Sequence, residues 1–152
     1  MIVSRAMLFF CESRRFEEDT CGTTRPWRSA LSLQTHATAQ IATITGNTFD
    51  ALVSPGSGAV VVEFMSYGCA HCRTLEPILQ QAAGELALST QIFRVNVARD
   101  QALANRKDIQ ATPTLLMFLN GEEIGRIEGP HPTVANLITT ITRAFASARS
   151  VH

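Results

Sequence analysis

Residues 59–72, Ala59-Val60-Val61-Val62-Glu63-Phe64-Met65-Ser66-Tyr67-Gly68-Cys69-Ala70-His71-Cys72, join a short apolar run to a C-x-x-C pair. A nearly unbroken apolar run of this length predicts a strand covered on both faces. Beyond Cys72, residues Leu75, Ile78, Leu79, Ala82 and Leu86 recur at helical spacing and predict an amphipathic helix. The cysteine pair therefore falls where a buried strand passes into a helix. Glu63 interrupts that strand with a carboxylate.

Working outward, Gln91 to Val97 reads as a strand and Gln101 to Lys107 as a short helix. Thr114 to Leu119 reads as a second fully buried strand. Asn120-Gly121 is a strong hairpin signal leading into Glu122 to Glu128. A last helix opens near Pro132 and carries Val134, Leu137, Ile138, Ile141 and Phe145 at helical spacing. Upstream, Ile41 to Thr45 reads as a strand, Gly46-Asn47 as a turn, Thr48 to Leu52 as a brief helix, and Ser54 to Gly58 as a loop. This order predicts an α/β domain with a central mixed sheet flanked by helices on both sides.

Composition narrows the classes of function. The chain has 152 residues, with 13 Lys and Arg balanced by 13 Asp and Glu. A neutral balance argues against nucleic-acid binding, which needs a basic face to release counterions. No apolar run approaches the roughly 18 residues of a membrane span. Hydrophobic residues at 45% exclude a broadly disordered chain.

Four cysteines are too few for a disulfide-scaffolded mini-domain. A zinc site usually wants two close ligand pairs. The Cys11/Cys21 spacing does not supply one, and His36, His131 and His152 are not paired, so no metal site is expected. Residues 1–39 differ in texture from the remainder. They carry Arg5, Arg14, Arg15, Arg25 and Arg28, the cluster Glu17-Glu18-Asp19, and no sustained periodicity. The patch Ala6 to Phe10 is too short for a secretory core, Leu8-Phe9-Phe10 lacks the small residues of a lipidation site, and the acidic cluster does not suit a transit peptide. The expectation is a disordered or mis-started extension over 1–39, then one domain over 40–152.

Several spaced features together give a resemblance to the thioredoxin family over roughly residues 40–147. They are the strand–CxxC–helix unit, Thr112-Pro113-Thr114 after a short helix, and Asn120-Gly121 before the closing elements. Four single positions also match: Glu63 six before Cys69, Pro77 five after Cys72, Pro113 at the place of the family's cis-proline, and Gly129 at the end of the last strand. The resemblance implies a thioredoxin-like fold. Around the cysteines the match is partial. The Trp-Cys-Gly-Pro-Cys of thioredoxins is absent, and Trp27 lies outside the domain. The lead Glu63-Phe64-Met65-Ser66 and the Cys-Ala-His-Cys look more like DsbA-type disulfide oxidases. Those enzymes insert a helical domain before the cis-proline, whereas only 41 positions separate Cys72 from Pro113 here.

At a helix N-terminus, the backbone N–H groups and the macrodipole favour a thiolate on Cys69, the attacking species in disulfide exchange. Thioredoxin and DsbA are standard examples of such lowered thiol pKa values. Cys72, one turn on, would resolve the mixed disulfide. His71 would add a donor or positive charge beside that thiolate; the alternative is a surface histidine without electrostatic effect. By resemblance, Glu63 accepts the Cys72 proton and Arg94 takes the place of a partnering lysine. An arginine gives a more permanent charge pair than a lysine, since it does not release its proton. A solvent-facing Glu63 on an edge strand is the alternative. Also by resemblance, Thr112, Pro113 and Gly129 bind an extended substrate chain, with Tyr67, Gly68 and Ala70 at its rim. An ordinary trans Pro113 is the alternative.

The implied activity is that of a thioredoxin-type protein-disulfide oxidoreductase with no cofactor beyond the redox-active Cys69–Cys72 disulfide. Its partners would be protein substrates with disulfides or dithiols and a thioredoxin-reductase-type electron donor, with no nucleic acid and no membrane. It would be a monomer in the cytoplasm; a periplasmic site would need a signal peptide, and no convincing one is present. Two other readings stay open: an oxidase or isomerase, and a binding module using the same groove without turnover.

Overall fold

The computed structural model describes residues 40–129 and 133–150, so the expectation for residues 1–39 lies outside the described residues. Nine elements follow one another: β1 (Ala42–Thr43), α1 (Gly46–Leu52), β2 (Ala59–Met65), α2 (Ala70–Leu86), β3 (Gln91–Asn96), α3 (Gln101–Arg106), β4 (Thr114–Leu119), β5 (Glu122–Glu128) and α4 (Val134–Arg149). The sheet order is β1-β3-β2-β4-β5. β2 runs parallel to β3 and antiparallel to β4, so it is the central strand. All seven of its residues are buried, as an apolar run between two helical layers should be.

Alternate residues of the central strands face opposite layers. Ala59 and Val61 of β2, with Leu115, Met117 and Leu119 of β4, pack under α2 and α4. Leu75, Leu79, Leu137, Ile141 and Phe145 supply the helical side of that layer. On the other face, Val60, Val62, Phe64, Leu116 and Phe118 meet Phe49 of α1 and Leu103 of α3. The mixed sheet with helices on both sides is the architecture the resemblance implies.

Local chemistry fixes the joins. Asn120 and Gly121 have φ of 51° and 91°, the two positive values a tight two-residue hairpin of matching twist requires. A Cβ on Gly121 would also lie 2.9 Å from the Ser54 carbonyl carbon, so a side chain is excluded twice over. At α3, Asp100 Oδ1 accepts from the Leu103 N–H at 3.1 Å and caps the helix.

Several boundaries differ from the sequence expectation; β3 and α3 each stop one residue early, at Asn96 and Arg106. β1 is two residues long rather than Ile41 to Thr45, because it pairs only with Phe93 and Arg94 at one edge. α1 begins at Gly46 rather than Thr48. The Thr48 Oγ1 accepts from the Thr45 N–H at 3.1 Å, and the Asp100 carboxylate accepts from the Gly46 N–H, so Gly46-Asn47 is drawn into the first turn. α4 is capped by Thr133, whose Oγ1 accepts from the Asn136 N–H at 3.3 Å; the expected start at Pro132 lies outside the described residues.

Candidate active site

β2 ends at Met65, and Ser66 to Gly68 carry the chain across to α2. The Ser66 carbonyl accepts the Cys69 N–H at 3.0 Å, which sets Cys69 in the N-cap position of α2. The Cys69 sulfur accepts the Cys72 N–H at 3.2 Å, as a capping oxygen would. Both cysteines are free thiols; Cys69 is half-buried and Cys72 is buried. α2 continues through Pro77, which has no N–H to give the turn before it.

From the opposite side, the chain before β4 closes on the same sulfur. The Thr112–Pro113 peptide is cis, and Cys69 Sγ donates to the Thr112 carbonyl at 3.3 Å. Gly129, at φ 79°, donates its N–H to the Pro113 carbonyl at 3.2 Å. Thr114 Oγ1 donates to the Ala111 carbonyl at 2.8 Å, tying the segment from its other end. Pro113 is buried. Thr112 thus lies against Cys69, and Gly129 is tied to the adjoining Pro113. Tyr67, Gly68, Ala70 and His71 are exposed around the sulfur, with Tyr67 at 61% among the most exposed large apolar residues. Arg73 Nη1 donates to the Tyr67 carbonyl at 3.4 Å, which braces that rim.

The two thiols are driven apart in acidity. Burial works against ionisation of Cys69. Hydrogen bonds from the Cys72 thiol, the Thr112 side chain and the backbone N–H groups of Cys72 and His71 outweigh it, and hold Cys69 below the ordinary thiol value. Burial, reinforced by the hydrogen bond with Cys69, pushes Cys72 up to about 11. One sulfur is thus the readier of the two to ionise and attack. The other needs a base.

Glu63 is fully buried, which removes the alternative of a solvent-facing edge. It stands in register with Arg94 on β3 and Leu115 on β4. Arg94 Nε donates to Glu63 Oε2 at 2.7 Å, while Oε1 has no hydrogen-bond partner among the described residues. Burial pushes the Glu63 carboxyl above the usual carboxylate range, against the pull of the Arg94 guanidinium.

Sequence reasoning missed Glu76, whose Oε2 accepts from Arg94 Nη2. The signal for it was its place beside Leu75 at the edge of the apolar stripe of α2, one turn past Cys72. Among the described residues, no group of three or more His, Cys, Asp or Glu side chains is placed to hold a metal ion. No helix among them is long and apolar enough to cross a membrane.

Comparison with known proteins agrees with this fold. The family model described as Thioredoxin matches residues 40–143. A chloroplastic thioredoxin Y of Oryza sativa subsp. japonica is 32% identical over 124 residues, covering 82% of this chain and 71% of that protein. A thioredoxin of Chlamydia pneumoniae is 35% identical over 86 residues, covering 57% and 81%. Among solved structures, a chloroplastic thioredoxin z superposes with a TM-score of 0.63 at 22% identity, over 70% of this chain and 96% of that one. The thioredoxin of Malassezia sympodialis gives 0.64 at 22%, over 70% and 92%. At that identity the two structures speak for the fold alone.

Proposed function

The chain belongs to the thioredoxin family, and from that premise we propose that it exchanges disulfides with cysteine pairs of other proteins through Cys69 and Cys72. The family supports thiol–disulfide oxidoreductase activity in general. The observation that carries the specific reading is the Cys69 sulfur, set between the Cys72 N–H and the Thr112 carbonyl with Cys72 buried behind it.

The Cys69 thiolate attacks one sulfur of a substrate disulfide. A mixed disulfide forms and the other substrate sulfur leaves as a thiolate. Cys72 then gives up its proton, attacks Cys69 and releases the second substrate thiolate. The substrate gains two electrons and the protein holds them no longer, as a Cys69–Cys72 disulfide. A dithiol donor of the thioredoxin-reductase type would restore the reduced pair. Glu63 is the proton acceptor for Cys72 in this reading, and its unpartnered buried Oε1 supports that role. Thr112, Pro113 and Gly129 hold the substrate chain in extended form, with Tyr67, Gly68 and Ala70 at the rim. The protein acts as a monomer in the cytoplasm.

Donors gathered on Cys69 favour the thiolate and hence the reduced pair, which makes the protein a stronger oxidant of substrate dithiols. That observation favours a second reading, net oxidation of substrate dithiols in an oxidising compartment. Reduction of insulin disulfides with dithiothreitol as terminal reductant tests the reductive reading, and reoxidation of a reduced, unfolded disulfide protein tests the oxidative one; a protein inert in both assays would remove both readings.

A further inference from the structure

The Arg94 guanidinium does not serve Glu63 alone. Nε donates to Glu63 Oε2 on β2, and Nη2 donates to Glu76 Oε2 on α2. Glu76 is in turn fixed by Gln80, whose Nε2 donates to Oε1 at 2.9 Å. The three side chains run from core to surface: Glu63 at 0% exposure, Arg94 at 11%, Glu76 at 37%. We infer that Glu76 is a positioning residue for proton transfer at Glu63: by holding the far edge of the Arg94 guanidinium, it divides one cation between two carboxylates and keeps Glu63 able to take up a proton.

The argument is one of charge. An arginine keeps its proton, so a Glu63–Arg94 pair alone would be neutral with Glu63 ionised, and protonating Glu63 would leave a buried cation unmatched. With Glu76 included, the ionised triad carries one negative charge, and a proton on Glu63 neutralises it. Arg94 also meets Glu63 by one nitrogen only and leaves Oε1 without a partner among the described residues. That is weaker than a bidentate grip.

Among the described residues, Arg94 from β3 and Glu76 from α2 are the charged groups acting on Glu63. β4 presents Leu115 opposite it, and α4 buries Leu137, Ile141 and Phe145 in the same layer. The negative charge of Glu76 raises the Glu63 pKa, in keeping with the geometry.

This inference rests on the reading that Glu63 accepts the Cys72 proton. Its test uses Glu76→Gln, an isostere that keeps a hydrogen-bond acceptor for Arg94, with Glu76→Ala as a second variant on the half-exposed helix surface. The carboxyl carbon of Glu63 is titrated by carbon-13 NMR. In parallel, the pH profile of Cys72-dependent thionitrobenzoate release is followed after reaction with dithiobisnitrobenzoate. Allowing for solvent screening of Glu76, both midpoints should fall by about half a pH unit. Release on the acid limb should then quicken about threefold with the plateau unchanged. A Glu63 midpoint that stays put or rises in both variants overturns the inference. Absence of thionitrobenzoate release from the wild-type protein would instead overturn the two-cysteine reading, and the NMR titration would still decide the part played by Glu76.

Discussion

The backbone N–H of Cys72 donates to the sulfur of Cys69 at 3.2 Å, so the first cysteine is held by the peptide of the second. The same bond that caps α2 also stabilises negative charge on the attacking sulfur. Fold and chemistry share one interaction here, because a helix N-terminus offers N–H donors that its own turn does not use.

That order of attack predicts different outcomes for the two cysteines. Cys69→Ser should abolish disulfide reduction. Cys72→Ser should keep the attacking thiolate and accumulate mixed disulfides with substrate, visible by mass spectrometry after a non-reducing quench. Turnover by Cys72→Ser at the wild-type rate would contradict a resolving role.

Burial of Glu63 carries a pH signature in stability. Its folded pKa lies above the usual carboxylate range, so the folded state binds the proton more tightly than the unfolded chain. Stability is therefore greatest below the unfolded pKa and declines as pH rises through the folded pKa. Glu63→Gln mimics the protonated form and should escape that decline. Its advantage should be absent at low pH and grow to about 1.4 kcal/mol for each unit by which the folded pKa is raised. Urea midpoints of both proteins across the pH range check the sign; a variant that loses stability more steeply than wild type as pH rises would contradict it.

His71 enters the Cys69 hydrogen bonds through its backbone N–H. His71→Pro deletes that donor while suiting the first turn of a helix. The Cys69 pKa should rise and the reduction potential should fall by roughly 30 mV for each pKa unit. Thiolate absorbance against pH, with a glutathione redox titration, measures both. An unchanged or higher potential would contradict this account of His71.

Gly121→Ala tests the hairpin. The substitution meets a positive φ of 91° and a backbone carbon at 2.9 Å. A loss of roughly 2 kcal/mol or more is expected from strain and overpacking together, read as a drop in the thermal midpoint. The redox potential should stay unchanged, since the contacts of the hairpin among the described residues run to Ser54, Pro55 and Gly58 and not to Cys69 or Cys72.

Much of this was legible in the sequence because the deciding features are local. Asn120-Gly121 selects its turn through φ preference alone, and the unbroken run Ala59 to Met65 admits few places other than the middle of a sheet. The carboxylate inside that run marked Glu63, and the resemblance to the thioredoxin family marked Pro113. What escaped was set by residues distant in sequence. Asp100 accepts the Gly46 N–H across 54 positions and so moves the start of α1. β1 shrinks because β3 offers it pairing only at Phe93 and Arg94. Glu76 looked like one more polar residue on a helix flank until Arg94 arrived from β3.

The two-cysteine mechanism is tested most directly by equilibrating the wild-type protein in glutathione buffers of graded potential and reading its mass after acid quench. The account predicts a single two-electron transition, in which the protein loses two hydrogens and peptide mapping finds Cys69 joined to Cys72. Independent glutathione adducts on the two cysteines, with no Cys69–Cys72 disulfide at any potential, would contradict it.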